Sequence, residues 1–240
     1  SQRAGASQEY GGALVAMPTM TMSLAPLLRD EIAEASGFVA VEQSKTARRQ
    51  TPFAKCDLSW SAPVQPGDTI TGTRRVLEKY ERRGSKFVVF RVEATNQHGK
   101  QVATYDYTCI FEYAEGQKKV PTDRGSAQPP PAGNAPAAEA GRTARFTSFD
   151  ALSVGDQLAP LAISESQEII NNRNELRLAG KPSPSNIHTD EEFARKNIFG
   201  GTVNAGPATM SYVDQMLQLS FPLRAFYEGG RLLMRAIEPF

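Results

Sequence analysis

The residues best suited to chemistry lie in one short stretch around His188. An imidazole takes up and releases protons near neutral pH, which makes histidine the commonest general acid or base in enzymes. Ser183, Ser185 and Asn186 closely precede it and offer two hydroxyls and an amide. A hydroxyl can hold a water molecule, but near neutral pH it cannot accept the proton of that water as a carboxylate does. A lone histidine is more often structural than catalytic, so both interpretations of His188 are open at this point.

The other polar candidates have structural interpretations. Thr189-Asp190-Glu191-Glu192 is typical of a helix N-terminus, with Thr189 as the cap and the carboxylates at the positive end of the helix dipole. We therefore expect Asp190 to have a structural role rather than a catalytic one. His98 lies in Asn96-Gln97-His98-Gly99, a sequence typical of a hairpin turn.

Composition excludes several classes of function. The 240-residue chain has 40% hydrophobic and 22% charged residues, as ordinary globular proteins do. Its 27 basic and 26 acidic residues give a net charge of +1, without the basic excess of a duplex-binding domain. Cys56 and Cys109 form neither a disulfide framework nor a CxxC pair, and the apolar stretch 13–22 is too short to span a bilayer. We expect a cytoplasmic protein that acts on a small molecule, without a nucleic-acid or membrane partner.

A segment rich in proline, alanine and glycine divides the chain. Residues 118–144 contain almost no large apolar side chains. Such a segment cannot bury enough surface to offset the entropy of ordering it, so it is predicted to be a linker. We therefore expect two structural units, residues 1–117 and residues 145–240.

The first unit is predicted to contain a helix followed by a curled antiparallel sheet. Residues 10–32 favour a helix after a Gly-Gly entry, despite two prolines. Strands are favoured over residues 69–80, 86–95 and 103–113. In the last of these, successive residues alternate almost regularly between an apolar and a polar face, with a period of two.

An internal repeat relates the two units. Tyr10-Gly11-Gly12-Ala13-Leu14-Val15-Ala16-Met17-Pro18 aligns without gaps with Phe199-Gly200-Gly201-Thr202-Val203-Asn204-Ala205-Gly206-Pro207. Further along, Leu58-Ser59-Trp60-Ser61-Ala62-Pro63-Val64 resembles Met234-Arg235-Ala236-Ile237-Glu238-Pro239-Phe240. We expect equivalent central helices over residues 13–28 and 203–217, each with strands wrapped around it.

The repeat also indicates what each copy lacks. Residues 145–198 have no counterpart in the first copy, and residues 68–113 have none in the second. The chain is therefore expected to be incomplete at both ends and to come from a protein of roughly 340 residues.

Several motifs resemble those of the MaoC-like (R)-specific enoyl-CoA hydratases. The stretch GKPSPSNIHTDEEFA, residues 180–194, is similar to the family's loop Gly-Asp-x-Asn-Pro-(Ile/Leu)-His, which an alanine follows in a helix. Phe199-Gly200-Gly201 with Ala205-Gly206 resembles the next block, which opens the central hot-dog helix. The resemblance implies an α+β double hot-dog fold, with two antiparallel sheets each wrapped round a central helix.

The resemblance also implies the reversible addition of water to an enoyl thioester. That reaction needs a base for the water, an acid for the alpha carbon, and donors for the enolate oxygen. By resemblance, His188 matches the catalytic histidine, and Gly206 matches the glycine whose N–H faces the thioester oxygen at a helix start. The family's aspartate falls on Ser183, so the loop lacks its usual carboxylate.

Four further residues are candidates for substrate binding: Ser185, Asn186, Asn204 and Ala205. The resemblance implies a thioester of coenzyme A or acyl carrier protein as substrate, no cofactor and no metal, and it allows a homodimer. We expect first a hydro-lyase that interconverts 3-hydroxyacyl and trans-2-enoyl thioesters. Two alternatives stay open: a non-catalytic thioester-binding protein that has lost the aspartate, and a hot-dog thioesterase.

We predict that Ser183→Asp in the full-length protein raises the rate of enoyl-CoA hydration and that the parent is correspondingly slow. One acid–base group usually contributes about 10²–10⁴-fold to the rate, and the hydroxyl of Ser183 cannot supply that contribution. The measurement is the loss of enoyl absorbance with crotonyl-CoA. A fully active parent that Ser183→Asp inactivates would contradict the alignment and point to another carboxylate, such as that of Asp190.

Overall fold

An antiparallel sheet of five strands organises the part of the chain that the computed structural model describes, residues 9–27, 32, 51–112, 146–178, 186–197 and 199–237. Four strands belong to the first half of the chain: β1 Phe53–Trp60, β2 Thr71–Arg82, β3 Ser85–Thr95 and β4 Gln101–Glu112. The second half adds β5, Arg231–Arg235. In space the strands follow the order β2-β3-β4-β1-β5, so the two halves share one sheet.

Two tight turns connect β2, β3 and β4. Arg83 and Gly84 both have positive φ, 52° and 74°, as a two-residue hairpin turn of favourable twist requires. The second turn depends on Asn96, whose side-chain oxygen accepts hydrogen bonds from the N–H groups of His98 and Lys100, both at 3.0 Å. The interpretation of His98 as a turn residue is thus confirmed.

The pairing of β1 with β5 joins the halves. In β1, alternate residues Cys56, Leu58 and Trp60 are buried, so this strand has one core face and one outer face. At the centre of the β1–β5 ladder Asp57 lies opposite Leu233. The sequence repeat makes these two residues equivalent, so a local two-fold axis relates β1 to β5. The register therefore supports the repeat.

The helices whose bounds lie within the described residues are short, and most of these belong to the second half. They are α1 Thr21–Leu24, which follows the 3₁₀ turn Pro18–Met20, α2 Gln167–Leu178, α3 Glu191–Arg195, α4 Gly206–Leu217 and α5 Arg224–Tyr227, with a second 3₁₀ turn at Phe149–Ala151. Helix α4 is the central helix and packs against the 3₁₀ turn of the first half. Within the described ranges, no helix is long and apolar enough to cross a membrane.

The helix expected over residues 10–32 is not continuous in the structure. Between residues 10 and 27 helical conformation is confined to Pro18–Leu24. Ile32 is again helical, and residues 28–31 lie outside the described residues. Proline has a fixed φ and no N–H, so Pro18 starts the helical segment but could not lie within it. Ala25 leaves the helical region, with φ −124° and ψ 72°, as is usual for a residue before a proline, here Pro26. The equivalent helices predicted at 13–28 and 203–217 therefore differ in length.

The predicted linker, residues 118–144, lies outside the described residues. After a turn at Val154 and Gly155, residues 157–166 have no strand pairing.

A buried carboxyl group holds the central helix against the first half. The Oδ2 atom of Asp214 accepts hydrogen bonds from the N–H of Thr19, at 2.8 Å, and from its hydroxyl, at 2.7 Å. The Oδ1 atom accepts one from the side-chain amide of Gln218, at 2.7 Å. Asp214 is fully buried and Thr19 nearly so, so these bonds replace those that water would make.

We expect Asp214→Ala to lower the free energy of unfolding by about 3 kcal/mol, because the buried donors of Thr19 then lack an acceptor and each such loss costs about 1–3 kcal/mol. Urea unfolding gives the measurement. Asp150→Ala is the control, since Asp150 is exposed in a 3₁₀ turn, and its effect should stay within about 0.5 kcal/mol. Similar losses for the two variants would contradict the assigned role of Asp214.

Candidate active site

A short turn presents His188 to the site. The side-chain oxygen of Asn186 accepts hydrogen bonds from the N–H groups of His188, at 2.8 Å, and Thr189, at 3.2 Å. This arrangement is an Asx turn, in which the asparagine side chain replaces a backbone acceptor. The amide nitrogen of Asn186 in turn donates to the hydroxyl of Thr189 at 3.0 Å. The backbone on both sides of His188 is thereby fixed.

The imidazole of His188 has a defined tautomer. Its Nδ1 atom lies 2.8 Å from the carbonyl oxygen of Val203. A carbonyl oxygen only accepts, so Nδ1 must carry a hydrogen, and in the neutral ring Nε2 is then the nitrogen with the lone pair. This is the arrangement that a general base requires.

The second chemical element is the N-terminus of α4. Ala205 is the N-cap, and Gly206 and Pro207 open the helix. The carbonyl of Ala205 accepts from the N–H groups of Ala208 and Thr209, at 2.9 and 3.2 Å. Among the described residues there is no acceptor for the N–H of Gly206, and Pro207 has no N–H group. This N–H, at the positive end of a helix dipole, can stabilise a developing oxyanion.

Both elements line one cleft of about 280 Å³, together with residues of the first half. The polar groups of its lining include those of His188, Asn204 and Gly206. The first half contributes Phe53 and Tyr107, whose ring centroids are 5.0 Å apart. The cleft is therefore composite, with its chemistry in the second half and an aromatic wall from the first.

The contact between the halves is closest at Gly206. A Cβ atom at this position would lie 2.4 Å from the ring of Phe53, far inside van der Waals contact. Glycine is therefore required here for a close approach of helix and ring, rather than for an unusual φ. The contact sets the width of the cleft beside the Gly206 N–H.

The predicted site residues divide into three groups. His188, Asn204, Ala205 and Gly206 meet at the cleft. Asn186 is not among the residues that line it, because its amide is engaged in the turn. Ser183 and Ser185 lie outside the described residues.

The predicted cap of α3 is wrong by one residue. Asp190, not Thr189, is the N-cap, and its Oδ1 atom accepts from the N–H of Phe193 at 2.9 Å. The physical reason is that the Thr189 hydroxyl is already an acceptor for Asn186. The structural interpretation of Asp190 is confirmed. Within the described residues, no cluster of three or more His, Cys, Asp or Glu is arranged to hold a metal ion.

Sequence reasoning missed the contribution of α2. The side-chain amide of Gln167 donates to the carbonyl oxygen of His188 at 2.7 Å. One turn and a half further on, Arg173 contacts Asn204 and Tyr212. No motif marks these residues, and only the tertiary fold brings them to the site.

Known dehydratases are similar to this chain. Residues 2–105 match the family model described as the FAS1-like dehydratase domain region. A solved MaoC-like dehydratase is similar in structure, with a TM-score of 0.64 and 18% identity, over 98% of this chain and 72% of that one. HtdX from Mycobacterium tuberculosis has a TM-score of 0.57 and 16% identity, over 98% of this chain and 79% of that one. No curated protein matches the sequence.

These similarities confirm the α+β hot-dog fold and the resemblance to the MaoC-like dehydratases. At a coarse level the match to the family model supports a hydratase or dehydratase. The match to the family model lies in the first half, whereas the loop that carries His188 lies in the second.

We expect Gly206→Ala to lower the free energy of unfolding by about 1–3 kcal/mol, because the added methyl group displaces the ring of Phe53. The double variant with Phe53→Ala should lose less than the sum of the two single changes, because removal of the ring relieves the clash. Thermal or urea unfolding measures these differences.

The matched control is Gly201→Ala, since nothing lies within 4 Å of a Cβ atom there. We expect a change of at most about 0.5 kcal/mol. Additive losses in the double variant, or an equal loss in the control, would show that the close approach to Phe53 is unimportant.

Proposed function

Since the chain has the fold of the MaoC-like dehydratases, we propose that it is a hydro-lyase that interconverts 3-hydroxyacyl and trans-2-enoyl thioesters. The observation that carries the proposal is the pairing of a tautomer-fixed His188 with the helix N-terminus at Gly206 in one cleft. The reaction needs a base, an acid and an oxyanion donor. The imidazole of His188 can serve as base and then as acid, and the N–H of Gly206 can serve as the oxyanion donor.

The proton balance of the reaction can be met by His188. In hydration, Nε2 takes a proton from water, whose oxygen bonds to the beta carbon of the enoyl group. Negative charge then develops on the thioester oxygen, where the N–H of Gly206 stabilises it. The imidazolium finally donates a proton to the alpha carbon, so the elements of one water are added. Dehydration follows the same steps in reverse.

The lining of the cleft favours an acyl group. Besides Phe53 and Tyr107, the side chains of Phe199 and Met234 line the cleft. Burial of an apolar acyl chain against these side chains is therefore favourable. A thioester of coenzyme A or acyl carrier protein supplies such a chain next to a carbonyl that the Gly206 N–H can contact. The carrier and the proposed homodimer are predictions that rest on the resemblance.

We predict that His188→Ala lowers the rate of crotonyl-CoA hydration by about 10²–10⁴-fold, the usual contribution of one acid–base group. The measurement is the initial rate of loss of enoyl absorbance. The matched control is His98→Ala, because His98 is the other histidine and lies in an exposed hairpin turn. That variant should keep the parent rate.

The rival functions are separated by measuring free thiol and crotonyl-CoA binding beside the loss of the enoyl group. Release of free thiol without loss of the enoyl group means thioester hydrolysis. Saturable binding of crotonyl-CoA with neither reaction means a thioester-binding protein. Either result, or an unchanged rate in His188→Ala, would overturn the proposed function.

A further inference from the structure

The four residues Val203 to Gly206 connect the two chemical elements of the site. The carbonyl oxygen of Val203 fixes the tautomer of His188, and the N–H of Gly206 lies at the start of α4. Asn204 and Ala205 separate them. A displacement of this segment would therefore disturb the acid–base group and the oxyanion donor together.

A polar network from α2 and α4 holds this segment at Asn204. The guanidinium of Arg173 donates to the side-chain oxygen of Asn204 at 3.3 Å and to the hydroxyl of Tyr212 at 2.9 Å. The amide nitrogen of Asn204 also donates to Tyr212, at 3.4 Å. The same Asn204 oxygen accepts from the N–H of Ala205 at 2.8 Å. Arg173 thus acts on the residue that directly precedes the helix cap.

A partly buried carboxylate anchors the network. The Oε1 atom of Glu165 accepts from Arg173 at 2.8 Å and also from the Tyr212 hydroxyl. The side chain of Glu165 is 14% exposed, and its Oε2 atom has no hydrogen-bond partner in the described part of the chain. Arg173 and Tyr212 therefore provide the hydrogen bonds recorded for this carboxylate. A partly buried carboxylate that loses such partners is left with unsatisfied oxygens, so the network favours one geometry.

The charges of the network are also consistent with a fixed arrangement. Burial opposes the charge of Arg173, yet the bond to Glu165 raises its pKa above the ordinary value. Burial, and then the bond to Glu165, raise the pKa of Tyr212, so its hydroxyl stays protonated as a donor at neutral pH. The guanidinium also lies 5.8 Å from the centroid of the Tyr212 ring, within the range of a cation–π contact.

From this geometry we infer that Arg173, held by Glu165 and Tyr212, is a positioning residue that keeps the Val203–Gly206 segment in the conformation catalysis requires. The inference deepens the proposed function and rests on it for its kinetic consequences. Arg173 does not line the cleft, so it acts through Asn204 rather than on the substrate.

The first test needs no activity. Because the chain has two histidines, ¹⁵N NMR can follow the His188 ring with His98 as an internal reference. In the parent we expect Nδ1 of neutral His188 to carry the proton, as its bond to Val203 requires. Arg173→Ala and Tyr212→Phe should shift the ring towards the Nε2-protonated tautomer, and the signals of His98 should stay unchanged.

The second test is kinetic. Arg173→Ala should lower kcat for crotonyl-CoA hydration by about 10–100-fold with little change in KM, since misplacement of a reacting group by about 1 Å can cost 10²-fold. Arg173→Lys should restore part of kcat, because it keeps the charge but not the fork of donors. The matched control is Arg91→Ala, which breaks an ion pair with Asp106 of similar burial on the outer face of the sheet.

The outcomes are distinguishable. A folded Arg173→Ala with the parent tautomer and the parent kcat overturns the inference, even if His188→Ala is inactive. A parent without hydratase activity overturns the proposed function, and the tautomer of His188 then decides this inference alone. If Arg173→Ala does not fold, Arg173→Lys and Tyr212→Phe decide in the same way, and an equal kcat loss in Arg91→Ala also counts against it.

Discussion

The pairing of β1 with β5 is the constraint on which the site depends. It brings the first-half residue Phe53 to the helix that begins at Gly206 in the second half. A bulge between Phe53 and Lys55 interrupts the regular register of β1 with β4, and bulges commonly redirect a side chain beside an active site. Because β4 also holds β1, a slip of one residue in the β1–β5 register would reverse the faces of β5. The cleft therefore exists only if the two halves pair in this register.

The centre of that pairing explains how a repeat can yield one site. Because Asp57 and Leu233 are equivalent in the repeat and face each other, the two copies meet edge to edge about a local two-fold axis. The bonds from Thr19 to Asp214 hold the corresponding helical segments of the two halves together. The two copies contribute different parts of the site. The second copy in this chain carries the histidine loop, and the first supplies the aromatic wall.

The sequence indicates the site where its chemistry is local. His188 and the helix start at Gly206 belong to short motifs, and the repeat follows from an ungapped alignment, so each is visible without tertiary information. The helix predicted over residues 10–32 is confined to Pro18–Leu24 within residues 10–27, because Pro18 begins the segment and Pro26 follows its end. The cap was assigned to Thr189 rather than Asp190 because both types cap helices well, and only the contact with Asn186 decides between them.

The residues that sequence reasoning missed share one property: their role is set by neighbours distant in the chain. Arg173 and Glu165 are ordinary charged residues until the fold places them beside Tyr212 and Asn204. Among the described residues, the ion pair of Arg173 with Glu165 reaches the Val203–Gly206 segment through Asn204, and Arg173 does not line the cleft. In the proposed mechanism this network supports His188 and Gly206 by holding the backbone between Val203 and Gly206, and the imidazole carries the proton balance of the reaction.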